Sequence, residues 1–211
     1  VHVSQQEEKY PASAISSWSG FVYQGKVALY HSLKLIHDGD LDFELQLDSS
    51  DDFAIYKNGK LHTAHQVKAK ISKYRSGYTK ALEQSTLIEH DKDKGTTRYF
   101  HVSVPLENTE DHKGASGETV EFYRYGDKFH CGLGEVEGLT KELIQKICDK
   151  QSITVSDNLI NLNYCLLSET ISTMAIHAHR LNQVDGLSEN QAAYENRIGA
   201  RSILDSILNE N

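Results

Sequence analysis

Proline is nearly missing from this chain, two residues in 211, and cysteine is scarce at three. Two prolines beside 14 glycines exclude a proline-rich disordered polymer and describe a chain that folds. Cys131, Cys148 and Cys165 give an odd count without Cys-x-x-Cys spacing, which argues against a disulfide framework and a structural zinc site; small buried apolar residues are expected instead. No run approaches the roughly 18 consecutive apolar residues of a membrane helix, so no membrane partner is expected. The polar start, Val-His-Val-Ser-Gln-Gln-Glu-Glu-Lys, is unlike a signal peptide, and the expected location is cytoplasmic. No Ser-His-Asp arrangement, Walker loop, Rossmann fingerprint or His-x-x-x-His pair is evident. At 211 residues the chain is long enough for one large α/β core, or a core with a helical extension. A start at Val1 and an end within a helical pattern at Ile207-Leu208-Asn209 suggest a piece of a longer polypeptide.

Positive charge is in deficit overall, with a net charge of -8, which speaks against non-specific nucleic-acid binding by the whole surface. Its distribution is more telling. Asp38, Asp40, Asp42, Glu44, Asp48, Asp51 and Asp52 follow one another with no Lys or Arg between them. From Gln66 to Ala81 the chain carries Lys68, Lys70, Lys73, Arg75 and Lys80 with no acid, and Tyr74 and Tyr78 are interleaved. An acidic pocket beside a basic strip suits a metal-dependent enzyme that acts on a polyanion.

Residues 1–17 read as a polar lead-in, with Trp18 as a core anchor beyond it. Helical spacing of Phe21, Val27, Leu29, Leu33 and Ile36 predicts a helix over Gly20–Ile36, capped by Ser17 or Ser19. Asp42–Leu47 alternates as a half-buried strand. Asn58-Gly59 between two short runs signals a hairpin, and loop length decides which side chains share a face. A two-residue loop would set Lys57 opposite Lys60 and strand Leu61 and Val67 away from Phe53 and Ile55. A three-residue loop sets Tyr56 opposite Lys60, gathers Phe53, Ile55, Leu61 and Val67 on one face, and places Asp52, Ala54, His62, Ala64, Gln66 and Lys68 on the other. The second register gives the coherent core.

Further on, the pattern predicts a helix over Thr79–Glu89, a strand over Arg98–Val104, a loop over Glu107–Glu118, and a hairpin from Val120 to Cys131 turning at Gly126-Asp127. Helices are predicted over Leu139–Ile147, Asp157–Arg180 and Ser188–Leu208, with no strand beyond Lys150. The expected architecture is α/β, a mixed sheet flanked by helices, with a core over 1–150 and a helical extension over 151–211.

Asp52, Gln66 and Lys68 on one face carry the chemistry. Hydrolysis of a phosphodiester needs a metal to activate water and a cation near the nucleophile or leaving group. Mg²⁺, or Mn²⁺ in its place, needs few protein oxygens and keeps several waters. Asp52, the Gln66 side-chain oxygen and the Val67 carbonyl can supply them, and Lys68 can orient water or steady the phosphate.

The Asp52, Gln66-x-Lys68 set resembles the Mrr-type variant of the PD-(D/E)XK restriction-endonuclease superfamily, in which glutamine replaces the middle acid. With Trp18-Ser19-Gly20-Phe21-Val22-Tyr23-Gln24-Gly25, Asp51-Asp52 and His65-Gln66-Val67-Lys68, the chain is similar to the double-stranded-DNA endonuclease domain of bacterial anti-phage effectors in CBASS, Lamassu and ABC three-component systems. The resemblance implies a restriction-endonuclease-like fold, an Mg²⁺-dependent DNA endonuclease, a homo-oligomer, and sensing or ATPase partner subunits. It assigns Asp52 as the metal-binding acid, Gln66 as the middle position and Lys68 as the catalytic lysine. Many members of the superfamily carry a further glutamate on the first helix. Here Gln24 stands there, so Glu44 or Asp51 is the candidate replacement, and Lys70, Lys73, Arg75 and Lys80 are candidates for the DNA backbone. The competing expectation is a catalytically inactive nuclease fold, kept as an interaction or DNA-binding subunit of an ABC-ATPase-type complex.

Overall fold

The computed structural model describes residues 15–47, 51–87, 95–115 and 117–209. The lead-in up to residue 14, Asp48, the end of the expected Thr79–Glu89 helix at Ile88 and Glu89, and the Trp18 side chain lie outside the described residues. In chain order the elements are α1 (Ile15–His37), β1 (Glu44–Leu47), β2 (Phe53–Lys57), β3 (Lys60–Lys68), a 3-10 turn (Arg75–Tyr78) running into α2 (Thr79–Ser85), β4 (Thr97–Val102), β5 (His112–Lys113), β6 (Thr119–Phe122), α3 (Leu133–Lys150), α4 (Asp157–Gln183), α5 (Glu189–Glu195), β7 (Ile198–Gly199) and α6 (Ala200–Leu208). The sheet order is β5-β6-β4-β3-β2-β1-β7. β1, β2 and β3 form an antiparallel meander, while β3–β4 and β4–β6 pair in parallel. This mixed seven-stranded sheet with flanking helices and a helical C-terminal region fits a restriction-endonuclease-like core.

Every residue of α1 from Val27 to Leu33 is buried, as in a helix enclosed on all sides. The sheet lies against one flank, and α3, α4 and α6 pack on the others. Each fully buried Val or Leu of this set contributes about 1.5–3 kcal/mol. Ser17 and Ser19, expected as caps, lie inside the helix. The other end closes where expected: Asp40 N–H donates to Leu35 O at 2.9 Å and Gly39 N–H to Ile36 O at 3.0 Å. Gly39 adopts φ +93° there, as this terminator requires. A smaller cluster of Tyr78, Leu82, Phe100, Val102, Val120 and Phe122 joins α2 to the opposite face of β4 and β6.

The hairpin reaches the expected face by a different route. Asn58 and Gly59, at φ 50° and 72°, form a two-residue turn with Lys57 opposite Lys60, not the three-residue loop. Ile55 then faces Thr63 while Tyr56 faces Leu61, so His62 is the extra residue of a bulge in β3. One extra residue inverts the side-chain alternation, and Ala54 faces Ala64 and Phe53 faces His65 beyond it. Asp52, Gln66 and Lys68 consequently meet, whereas Leu61 pairs with Tyr56 instead of joining Phe53 and Ile55.

Three other expectations are corrected. Val120–Cys131 is not a hairpin: β6 pairs with β4 and β5, and only Tyr125 and Lys128 bridge across the turn. The helix expected over Ser188–Leu208 is broken into α5 and α6 by β7, which adds to the sheet edge beside β1. Cys131 and Cys148 are buried, but Cys165 is exposed.

Candidate active site around Asp52

Asp52 sits immediately before β2, at the end of the sheet, where side chains from the neighbouring strand and from α1 both reach it. Its Oδ1 accepts from Gln24 Nε2 at 2.7 Å. Its Oδ2 accepts from the Gln66 amide, from Val67 N–H at 2.5 Å and from Lys68 Nζ at 3.4 Å. The carboxylate is 16% exposed, so its solvation comes mainly from these donors. Burial raises its pKa above the usual carboxylate value, opposed by the Lys68 ammonium, the Val67 N–H and the Gln66 amide.

Gln66 is buried and on β3, and Lys68 lies two residues further on the same strand face. The Val67 N–H points at Asp52, and in an extended residue the carbonyl leaves on the same strand edge as the N–H. The Gln66 side chain offers its NH₂ to Asp52, and a turn of the amide would offer its oxygen to a cation instead. Among the described residues no group of three or more His, Cys, Asp or Glu side chains is arranged to hold a metal ion. The available donor set is one carboxylate, one amide oxygen and one backbone carbonyl, which suits a hydrated Mg²⁺ better than a softer metal.

The remaining predicted residues divide. Gln24 belongs to the cluster. Asp51 points elsewhere, 3.6 Å from the Arg98 guanidinium, which also lies 3.7 Å from Glu118 and donates to Ser85 O. Glu44 is not brought to Asp52: it opposes Tyr56 at the far end of the β1–β2 ladder and lies 3.5 Å from Arg197. Of the basic strip, Lys70 donates to Gly77 O and lies over the Tyr78 ring, Lys73 lies over Tyr74, and Arg75 donates to Asn108 and lies over Phe122. Lys80 is exposed on α2. Lys70 and Lys73 lie on the segment leaving β3, Arg75 opens the 3-10 turn and Lys80 follows on α2.

A cavity of about 260 Å³ opens beside the cluster, between α1 and α4. Asp52, Gln24 and Lys26 line one part, Ser168 and Ser172 another, and Phe21, Ile171 and Ile176 supply apolar wall. The α4 helix therefore forms one wall of the approach to Asp52.

Sequence reasoning missed two groups. Arg98, buried at the start of β4, ties the Asp51-Asp52 segment to α2 and β6, and nothing in Arg-Tyr-Phe-His-Val marks its partners. Behind Gln66, a cluster of His31, His65 and His101 is fully enclosed with Tyr123 and Tyr125, from positions with no recognisable spacing.

Residues 120–211, a little under half of the chain, match CTD1, the C-terminal domain 1 of the ABC-three component (ABC-3C) systems. The matched segment runs from β6 through α6 and includes the α4 wall of the cavity. No curated protein and no solved structure matches the chain. Among the described residues no helix is long and apolar enough to cross a membrane.

Proposed function

We propose that this chain is an Mg²⁺-dependent endonuclease that hydrolyses phosphodiester bonds of double-stranded DNA, and that it serves as the effector of a bacterial anti-phage system in the cytoplasm. The observation that carries the reading is the meeting of Gln66, Val67 and Lys68 of β3, with Gln24 of α1, on the single carboxylate of Asp52. The match of residues 120–211 to a domain of three-component systems supports the setting and the presence of partner subunits.

In this reading Asp52, the Gln66 amide oxygen and the Val67 carbonyl hold the ion, which when bound activates water and offsets charge at the phosphate. Lys68 places its ammonium beside the same carboxylate, where it orients the attacking water or steadies the pentavalent phosphate. Lys70, Lys73, Arg75 and Lys80 continue from Lys68 and meet the DNA backbone. A free nuclease of this kind would destroy host DNA, so activity is gated by self-association or by release from a sensing or ATPase partner.

A second reading rests on a specific observation. Oδ2 of Asp52 is already engaged by three donors, and Glu44, a candidate further acid, is committed to Arg197. Such a site also suits an inactive nuclease fold retained as an interaction or DNA-binding subunit of an ABC-ATPase-type complex. Plasmid digestion over a range of protein concentrations, with Mg²⁺ or with EDTA, separates the two. The endonuclease reading expects cleavage that EDTA and Lys68→Ala both abolish; no cleavage at any concentration favours the inactive module.

A further inference from the structure

Between β3 and the 3-10 turn the chain runs through Ala69-Lys70-Ile71-Ser72-Lys73-Tyr74 without helix or strand. Its backbone is nevertheless held. The hydroxyl of buried Tyr78 shares its proton between Lys70 O at 3.2 Å and Ser72 O at 2.8 Å, the two carbonyls that flank Ile71. Ser103 Oγ donates to Lys70 O at 3.1 Å, Glu107 N–H to Lys73 O at 3.1 Å, and Lys70 Nζ to Gly77 O at 3.0 Å. What this braced loop presents is Ile71, 95% exposed. Single apolar residues are common on protein surfaces and by themselves signify nothing. Here a branched side chain, stiff at χ1, is carried into water on a fixed loop, flanked by exposed Lys70 and Lys73 in a stretch from Gln66 to Ala81 that has no acid. Cations around a fixed apolar tip suit a polyanion with an apolar interior, and duplex DNA is one, with phosphates outside and stacked bases within.

We propose that Ile71 is a wedge that enters the minor groove of duplex DNA and parts one base step, while Lys70 and Lys73 hold the neighbouring phosphates. Aliphatic side chains set among Lys or Arg open base steps in this way and kink the duplex. Ile71 follows Lys68 by three residues, so at most about 10 Å of extended chain lies between them. At ~3.4 Å per base pair, the parted step lies within about three of the phosphate that Lys68 meets. The substrate selected is duplex DNA that unstacks easily, a pyrimidine–purine step or a mismatch close to the scissile phosphate. Only that distance to the scissile phosphate rests on the endonuclease reading; the insertion of Ile71 does not.

Fluorescence of 2-aminopurine in a duplex with a single mismatch tests the insertion, with Ca²⁺ in place of Mg²⁺ and the base analogue placed either beside the mismatch or far from it. The mismatch gives the wedge a preferred register. The parent protein should raise the emission severalfold beside the mismatch and not far from it. Ile71→Leu should keep the rise and Ile71→Ser abolish it, at a position so exposed that the fold is unaffected. The parent should bind the mismatched duplex about tenfold more tightly than the matched one, and Ile71→Ser should lose that preference. Ile71→Ser should leave the slope of log affinity against log salt unchanged, whereas Lys73→Ala should make it shallower by about one, which separates the wedge from its flanking charges. Emission that does not rise, a rise that survives Ile71→Ser, or no binding of duplex at all overturns the proposal. Unstacking by a protein that cuts no DNA leaves the wedge standing and removes the nuclease reading; cleavage without unstacking leaves the nuclease and removes the wedge.

Discussion

Gln24 of α1 donates to Oδ1 of Asp52 at 2.7 Å, which ties the first helix to the hairpin at the point where an acid would make a two-carboxylate site. Gln24→Glu would set two carboxylates at hydrogen-bond distance in a pocket where Asp52 is already desolvated. Without divalent ions this should destabilise the fold by about 1–3 kcal/mol. Mg²⁺ or Mn²⁺ should restore the loss. Melting of the variant with and without MgCl₂ checks this, and a melting temperature indifferent to the ion would count against an ion site at Asp52.

Arg98 lies 3.6 Å from Asp51 and 3.7 Å from Glu118 while itself 5% exposed at the side chain. Arg98→Met removes the cation and leaves two largely buried carboxylates without it. The expected cost is about 3–5 kcal/mol, the range for breaking a buried ionic group. Urea unfolding of the variant measures it; a loss under about 1 kcal/mol would show that Arg98 contributes no more than a surface pair.

The buried histidines make the fold acid-sensitive. His65 Nδ1 lies 2.9 Å from His101 Nε2, His101 Nδ1 2.8 Å from the Tyr125 hydroxyl, and His31 Nδ1 3.1 Å from the Tyr123 hydroxyl. Burial holds His31 down to about 3, and His65 and His101 well below the ordinary 6.5. The unfolded chain takes up protons first as pH falls, so this stability is complete above about 6.5 and is lost between there and about 3. Each histidine adds up to about 1.4 kcal/mol per pH unit to the slope. Urea midpoints at pH 7, 6, 5 and 4 should fall steeply, and His31→Leu should make the fall shallower.

Gly114 approaches Thr86 so closely that an added Cβ would clash with the Thr86 Oγ1 and Cβ. Gly114→Ala should cost about 1–3 kcal/mol by overpacking, read as a lower melting temperature. Thr86→Gly in the same chain removes all three side-chain atoms at the contact and should recover part of the loss.

The hairpin shows both how far the sequence is legible and where it stops. Apolar alternation in Phe53, Ile55 and Val67 identifies which face is buried, and that is enough to bring Asp52, Gln66 and Lys68 together. It does not reveal the bulge at His62, because a two-residue turn plus one extra residue gives the same alternation beyond it as a three-residue turn. Gln24 is legible only through the resemblance, since Gly-Phe-x-Tyr-Gln sets it where many members of the superfamily carry a glutamate on the first helix. Glu44 is not, since its partner Arg197 comes from the far end of the chain, where its guanidinium stacks 3.4 Å from the Tyr56 ring centre. β5 and β7 are two residues each, too short to show any period, so the break between α5 and α6 is set by tertiary pairing with β1.

The central claim is that the Asp52 carboxylate, and not merely its shape, is the working group of the site. Asp52→Asn keeps the side-chain volume and removes the charge, and burial already disfavours that charge in the folded protein, so the variant should fold and melt like the parent. Conversion of supercoiled plasmid by Asp52→Asn beside the parent protein, with Mn²⁺ present, tests the claim most directly. The account predicts cleavage by the parent and none by the folded variant; cleavage at the parent rate by Asp52→Asn would contradict it.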